Sequence, residues 1–101
     1  MSLSLLLDRE AIVALCRRHG VARLSVFGSA LTDRFDPNRS DVDMTVEFVP
    51  DLPDRFGAYF GLKEDLEQLL ERPVDLLVRT AIDNPFFAAE VERTEEMLYA
   101  A

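Results

Sequence analysis

The feature that most constrains the fold is the segment DVDMTVEF at residues 41–48, in which polar and apolar side chains alternate without exception. Side chains on a β-strand point alternately to the two faces of a sheet, so this pattern predicts a strand with one apolar face. The apolar face would carry Val42, Met44, Val46 and Phe48, and the polar face Asp41, Asp43, Thr45 and Glu47. Such a strand requires a second layer that covers its apolar face.

Further apolar patterns predict that second layer and the rest of the sheet. They indicate, in chain order, a helix at residues 8–19, a strand at 22–27, a helix at 55–71, a strand at 74–78 and a helix from 84 to about 99. Asp8 and Asn84-Pro85 are typical of helix starts, and Gly20 is typical of a helix end. The order α-β-β-α-β-α predicts an α/β fold, with a small mixed sheet flanked by helices.

Composition and charge exclude several classes of protein. A length of 101 residues, with 49% apolar and 30% charged residues, predicts one globular domain over residues 1–101. One cysteine and one histidine cannot form a disulfide framework or a Cys/His zinc site. The net charge of −8 argues against a direct nucleic-acid partner.

The first residues and the apolar runs argue against a membrane partner. No apolar run approaches the roughly 20 residues that a membrane span requires. The segment MSLSLLLDRE lacks the basic region and the cleavage site of a signal peptide. A lone thiol suits a reducing compartment, so we expect a cytoplasmic protein.

Three aspartates carry the most informative chemistry. Asp41 and Asp43 lie two residues apart on one predicted strand, so their side chains share a face with Cα atoms about 6.6 Å apart. Acids on the solvated side of an amphipathic strand would also explain this pair. Asp75 lies inside the apolar segment PVDLLV, where a carboxylate is costly unless it is paired or metal-bound.

Asp75 therefore has two explanations. The structural explanation is that Asp75 pairs with an arginine or lies at the exposed start of a strand. The functional explanation is that it lies beside Asp41 and Asp43 on a neighbouring strand. Three such carboxylates form an all-oxygen site that suits Mg²⁺, and a pair of these ions can bind a triphosphate. Gly28-Ser29, directly after a predicted strand, would let a phosphate approach backbone amides and the serine hydroxyl.

These segments together resemble a known family, the minimal nucleotidyltransferases (MNT domains) of the DNA polymerase beta superfamily. The matching segments are Phe27-Gly28-Ser29, Ser40-Asp41-Val42-Asp43, Val46-Glu47-Phe48 and Val74-Asp75-Leu76-Leu77. The resemblance covers essentially the whole chain and implies that Gly28 and Ser29 bind the nucleotide phosphates. It implies that Asp41 and Asp43 bind two catalytic Mg²⁺ ions. Asp75 would be the third carboxylate of that metal site and would help to deprotonate the acceptor hydroxyl.

The resemblance also implies an activity and a partner. The protein would transfer AMP from ATP to a protein hydroxyl. As the antitoxin of a toxin–antitoxin pair, it would silence a HEPN-type RNase toxin. Its oligomeric state stays open between a homo-oligomer and a hetero-oligomer with the toxin. One alternative is a catalytically weak or inactive fold that binds the toxin and inhibits it by occlusion; the lack of a basic residue directly after Gly28-Ser29 favours it. Another alternative is adenylylation of an unrelated protein.

Two further pairs of residues have simpler interpretations. Cys16 and His19 lie three residues apart on the first predicted helix, but a small core residue and a helix-end cation explain them better than a catalytic dyad. Phe86 and Phe87 are predicted to be core residues rather than a platform for base stacking. The sequence contains neither GxxxxGK[ST] nor GxGxxG, so P-loop and Rossmann sites have no support.

Overall fold

The alternating segment is an inner strand of a four-stranded mixed sheet. The structure, a computed structural model, describes residues 8–28 and 41–101. Its elements are α1 (Arg9–Arg18), β1 (Val21–Phe27), β2 (Val42–Phe48), α2 (Arg55–Leu70), β3 (Val74–Val78), a 3₁₀ turn (Arg79–Ala81), α3 (Pro85–Thr94) and β4 (Glu96–Ala100). The strand order is β3-β2-β1-β4, with β1 antiparallel to both neighbours and β2 parallel to β3. The predicted α/β class with a small mixed sheet is confirmed.

The predicted last helix is too long, because residues beyond 94 form a strand. The chain becomes extended at Glu95 (φ −70°, ψ 151°), and β4 then pairs with β1. Leu98 is buried on this strand, so its helical spacing from Val91 is coincidental. Without β4, β1 would be an edge strand with unpaired backbone groups. Pairing of those groups outweighs the helical preference of the last residues.

Helices α1 and α2 cover the apolar face of the sheet. Their inward side chains form one core cluster with the strands: Ile12, Cys16, Val21, Leu24, Val26, Val42, Met44, Val46, Leu62, Leu66, Val74, Leu76 and Leu98. Asp8 caps α1, and Gly20 follows α1 with φ +68°, as predicted. Burial raises the pKa of the Cys16 thiol to about 12, so this residue is a protonated core residue rather than a nucleophile.

The other face of the sheet is polar and is contacted by α3 and the turn before it. Arg79 pairs with Glu95, and it lies 3.6 Å from a carboxylate oxygen of Glu47 on β2. Thr45, buried on β2, donates a hydrogen bond to Glu95 (3.5 Å). These contacts join the α3–β4 junction to the polar face of β2. None of the helices in the described ranges combines the length and apolarity needed to cross a bilayer.

The core cluster predicts a measurable cost for truncation on α2. Leu66 is fully buried, so Leu66→Ala should lower the free energy of unfolding by about 2–5 kcal/mol through lost burial and a residual cavity. Urea unfolding followed by circular dichroism measures this change. Gln68→Ala, at an exposed position on the same helix, is the matched control and should change stability by no more than about 0.5 kcal/mol. Equal effects of both substitutions would contradict the assigned packing of α2.

Candidate active site

The end of β1 and the start of β2 bring a glycine next to a carboxylate. Phe27 is the antiparallel partner of Asp43, and Gly28 follows with φ +76°, a conformation that glycine adopts without strain. A Cβ atom placed on Gly28 would lie 3.0 Å from Oδ2 of Asp43. The absence of a side chain at this position therefore keeps the space beside the Asp43 carboxylate open.

The parallel pairing of β2 with β3 places a second carboxylate beside the first. Asp75 is the register partner of Asp43, so the two side chains leave the sheet on the same face. Asp41 immediately precedes β2, within the range of charge interaction with Asp43. The structure thus places Asp75 and Asp41, the two other aspartates that the sequence singles out, near Asp43.

The electrostatics of this group favour a bound positive charge. Partial burial raises the pKa of Asp43, and the negative charges of Asp75 and Asp41 raise it further. A carboxylate with a raised pKa binds a proton, or an equivalent cation, more readily than a solvated one. The described neighbours of Asp43 are therefore negatively charged, and none of the described interactions of its side chain lowers its pKa.

The expected burial of Asp75 is wrong. Asp75 is exposed, while its neighbours Val74 and Leu76 are buried. The apolar segment around it is an edge strand with one face in the core, so an aspartate on the opposite face has little desolvation cost. Its position beside Asp43 follows from strand register rather than from any need to neutralise a buried charge.

The donor set fits a hard divalent cation, although it is not gathered into a ready-made cage. Carboxylate oxygens beside an open glycine are the ligands that Mg²⁺ prefers. Within residues 8–28 and 41–101, no three Asp, Glu, His or Cys side chains lie close enough together to be recognised as a metal-binding group.

Ser29, the other residue predicted to bind phosphate, lies with residues 30–40 outside the described residues. Gly28 is described and lies next to Asp43. We call Asp41, Asp43 and Asp75 the acidic group.

The structure also exposes two aromatic residues that sequence reasoning assigned to the core. Phe86 is 85% exposed and Phe87 is 40% exposed, so the core assignment is wrong. In α3 the buried residue is Val91. An apolar stripe on a helix is wide enough to include adjacent residues, so the sequence alone does not show that these two rings lie outside the core.

Comparisons with known proteins agree on the class of domain. The family model of the nucleotidyltransferase domain matches residues 9–98. A candidate protein adenylyltransferase of Methanocaldococcus jannaschii is 33% identical to the chain over 82 residues, which are 81% of this chain and 79% of the relative. A second candidate protein adenylyltransferase of the same organism is 32% identical over equal shares.

Solved structures agree on the fold. The structure of a candidate minimal nucleotidyltransferase superposes with a TM-score of 0.72 at 34% identity, covering 95% of both chains. A toxin–antitoxin complex with AMP-PNP gives 0.71 at 23% identity, covering 94% of this chain and 75% of that chain. A complex of an MNT antitoxin with the tri-AMPylated HEPN toxin of Shewanella oneidensis gives 0.64 at 21% identity, covering 95% of this chain and 72% of that chain. The predicted minimal nucleotidyltransferase fold is confirmed.

The raised pKa of Asp43 predicts a stabilising substitution at the acidic group. The folded state holds a proton on Asp43 more tightly than the unfolded state, so the free energy of unfolding falls as pH rises from 3.8 through the raised pKa. At neutral pH the folded protein therefore has a lower free energy of unfolding because Asp43 is charged in it. Asp43→Asn removes this charge and its cost. The variant should therefore be more stable than the natural protein at neutral pH, and this difference should vanish below pH 3.8. Urea unfolding of both proteins, at neutral pH and below pH 3.8, measures this difference in the free energy of unfolding.

Asp51→Asn, at an exposed turn position, is the control and should show little difference at either pH. A natural protein at least as stable as Asp43→Asn at neutral pH would contradict the described electrostatics.

Proposed function

Since the chain belongs to the nucleotidyltransferase domain family, we propose that it transfers AMP from ATP to a hydroxyl group of another protein. The observation that supports this proposal best is the placement of Asp43 and Asp75 side by side on parallel strands, next to the open glycine at position 28. The similarity to two candidate protein adenylyltransferases, each over about four-fifths of both chains, supports a protein acceptor.

We infer that Asp41, Asp43 and Asp75 hold two Mg²⁺ ions. When bound, such ions neutralise phosphate charge and polarise the phosphorus atom under attack. Gly28 leaves room for a phosphate beside Asp43, and Ser29 would donate a hydrogen bond to it. Asp75 is exposed, which supports a role in accepting the proton of an incoming hydroxyl. Pyrophosphate is the leaving group of this transfer.

The proposed acceptor is a HEPN-type toxin, which the transfer would silence in the cytoplasm. Support comes from the shared fold with an MNT antitoxin bound to a tri-AMPylated HEPN toxin. The acidic group itself supports an acceptor from outside, because Asp75 lies on an edge strand and is open to solvent. A second molecule can therefore bring its hydroxyl to this carboxylate.

A second function, inhibition by occlusion alone, is favoured by one observation. Phe56 is 76% exposed and Phe60 is 50% exposed on α2, and with Tyr59 they line an apolar groove of about 890 Å³. Exposed apolar surface of this kind is typical of protein-binding sites. An antitoxin could thus bind its toxin through this surface without transferring AMP.

The catalytic proposal predicts a loss of transfer without a loss of fold. Asp43→Asn keeps the size of the side chain but removes a charged ligand, so AMP transfer should fall by at least about 100-fold. Purified protein is incubated with Mg²⁺, labelled ATP and a HEPN-type toxin, and the labelled toxin is quantified. Circular dichroism confirms the fold, and Asp51→Asn is the control that should retain activity. Undiminished labelling by Asp43→Asn would refute the assignment.

Nucleotide binding separates transfer from occlusion. A transferase should release or take up heat when titrated with Mg-ATP, and its melting temperature should rise because the ligand binds only the folded state. Isothermal titration and thermal unfolding measure both effects. A natural protein that binds the toxin but shows neither effect would support occlusion and exclude the proposed activity.

A further inference from the structure

The first turn of α3 exposes two phenylalanines, and one of them, Phe87, contacts the strand partner of Asp43. We define the aromatic step as Phe86 and Phe87, which are 85% and 40% exposed. Such exposure of two adjacent phenylalanines has a cost in water, because each ring would gain free energy by burial. A fold that keeps them exposed needs a reason that packing does not supply.

A helix cap fixes the backbone of the aromatic step. Asn84 caps α3, and its side-chain oxygen accepts hydrogen bonds from the amides of Phe86 (2.9 Å) and Phe87 (3.2 Å). Pro85 at the first helical position fixes the entry of the chain into the helix. These capping bonds satisfy two of the backbone amides at the start of α3.

The aromatic step is continuous with the acidic group. The ring of Phe87 contacts the ring of Phe27 edge to face, with a centroid distance of 6.0 Å. Phe27 is the strand partner of Asp43, and Gly28 follows directly. One buried ring therefore separates the exposed aromatic surface from the carboxylate beside which the phosphates would lie. A nucleotide spans such an interval between its phosphates and its base.

We propose that the aromatic step stacks against the base of the nucleoside triphosphate. This inference rests on the proposed function, because it needs the phosphates to lie beside Asp43. Stacking of a base on an aromatic side chain is largely indifferent to base identity, since every base has a π face. The phosphates would then be bound by the acidic group through Mg²⁺, and the base would be bound by rings at the start of α3.

The test compares the two phenylalanines of the aromatic step with Phe56, an exposed phenylalanine on α2. Phe86→Ala and Phe87→Ala should each weaken Mg-ATP binding by about 5- to 150-fold, the loss expected for one base–aromatic contact. Binding of magnesium tripolyphosphate, which has no base, should not change. Phe86→Trp keeps a flat ring and should retain most of the affinity. Phe56→Ala, which removes an exposed phenylalanine from the α2 groove, is the matched control and should bind Mg-ATP normally.

The outcomes separate this inference from the function on which it rests. If the natural protein binds Mg-ATP and transfers AMP while Phe86→Ala and Phe87→Ala bind Mg-ATP like Phe56→Ala, the stacking role is refuted and the transferase stands. If these two variants lose only affinity for the protein acceptor, the aromatic step binds that partner and the stacking role is again refuted. If the natural protein binds no Mg-ATP, the proposed function and the stacking role both fail.

Discussion

The parallel pairing of β2 with β3 is the constraint on which the rest of the site depends. This register places Asp75 beside Asp43, and the antiparallel pairing of β2 with β1 places Gly28 on the other side of the same carboxylate. A shift of one residue in either register would turn these side chains to the opposite face. The core behind β2 holds both registers, because Val42 and Met44 are fully buried against the helices.

This arrangement accepts a local electrostatic cost. Burial and two neighbouring carboxylates raise the pKa of Asp43, which means that the surroundings of this side chain within residues 8–28 and 41–101 disfavour its charged form. Sites of this kind are common where a ligand supplies the missing charge. The remainder of the polar face behaves differently, since Arg79 there is paired with Glu95 and approaches Glu47. On the polar face, the described carboxylates near Arg79 therefore have a basic partner, whereas those around Asp43 have none among their described interactions.

Much of this could be predicted from the sequence, and the failures have physical causes. The alternation in β2 identified both its apolar face and its aspartates, because strand period is a local property. The strand at Glu96–Ala100 was predicted as helix, since its formation depends on the unpaired edge of β1, which is distant in sequence. Exposure was also misjudged for Asp75 and Phe86, because a pattern of residue types does not reveal which layers cover a face.

We propose that Asp41, Asp43 and Asp75 together bind divalent ions beside Gly28. A crystal structure of the protein soaked with Mn²⁺ and a non-hydrolysable ATP analogue tests this most directly, because Mn²⁺ accepts the ligands of Mg²⁺ and gives an anomalous signal. The account predicts anomalous peaks within bonding distance of Asp41, Asp43 and Asp75, with phosphate oxygens next to the glycine. A bound nucleotide whose metal ions touch neither Asp43 nor Asp75 would contradict it.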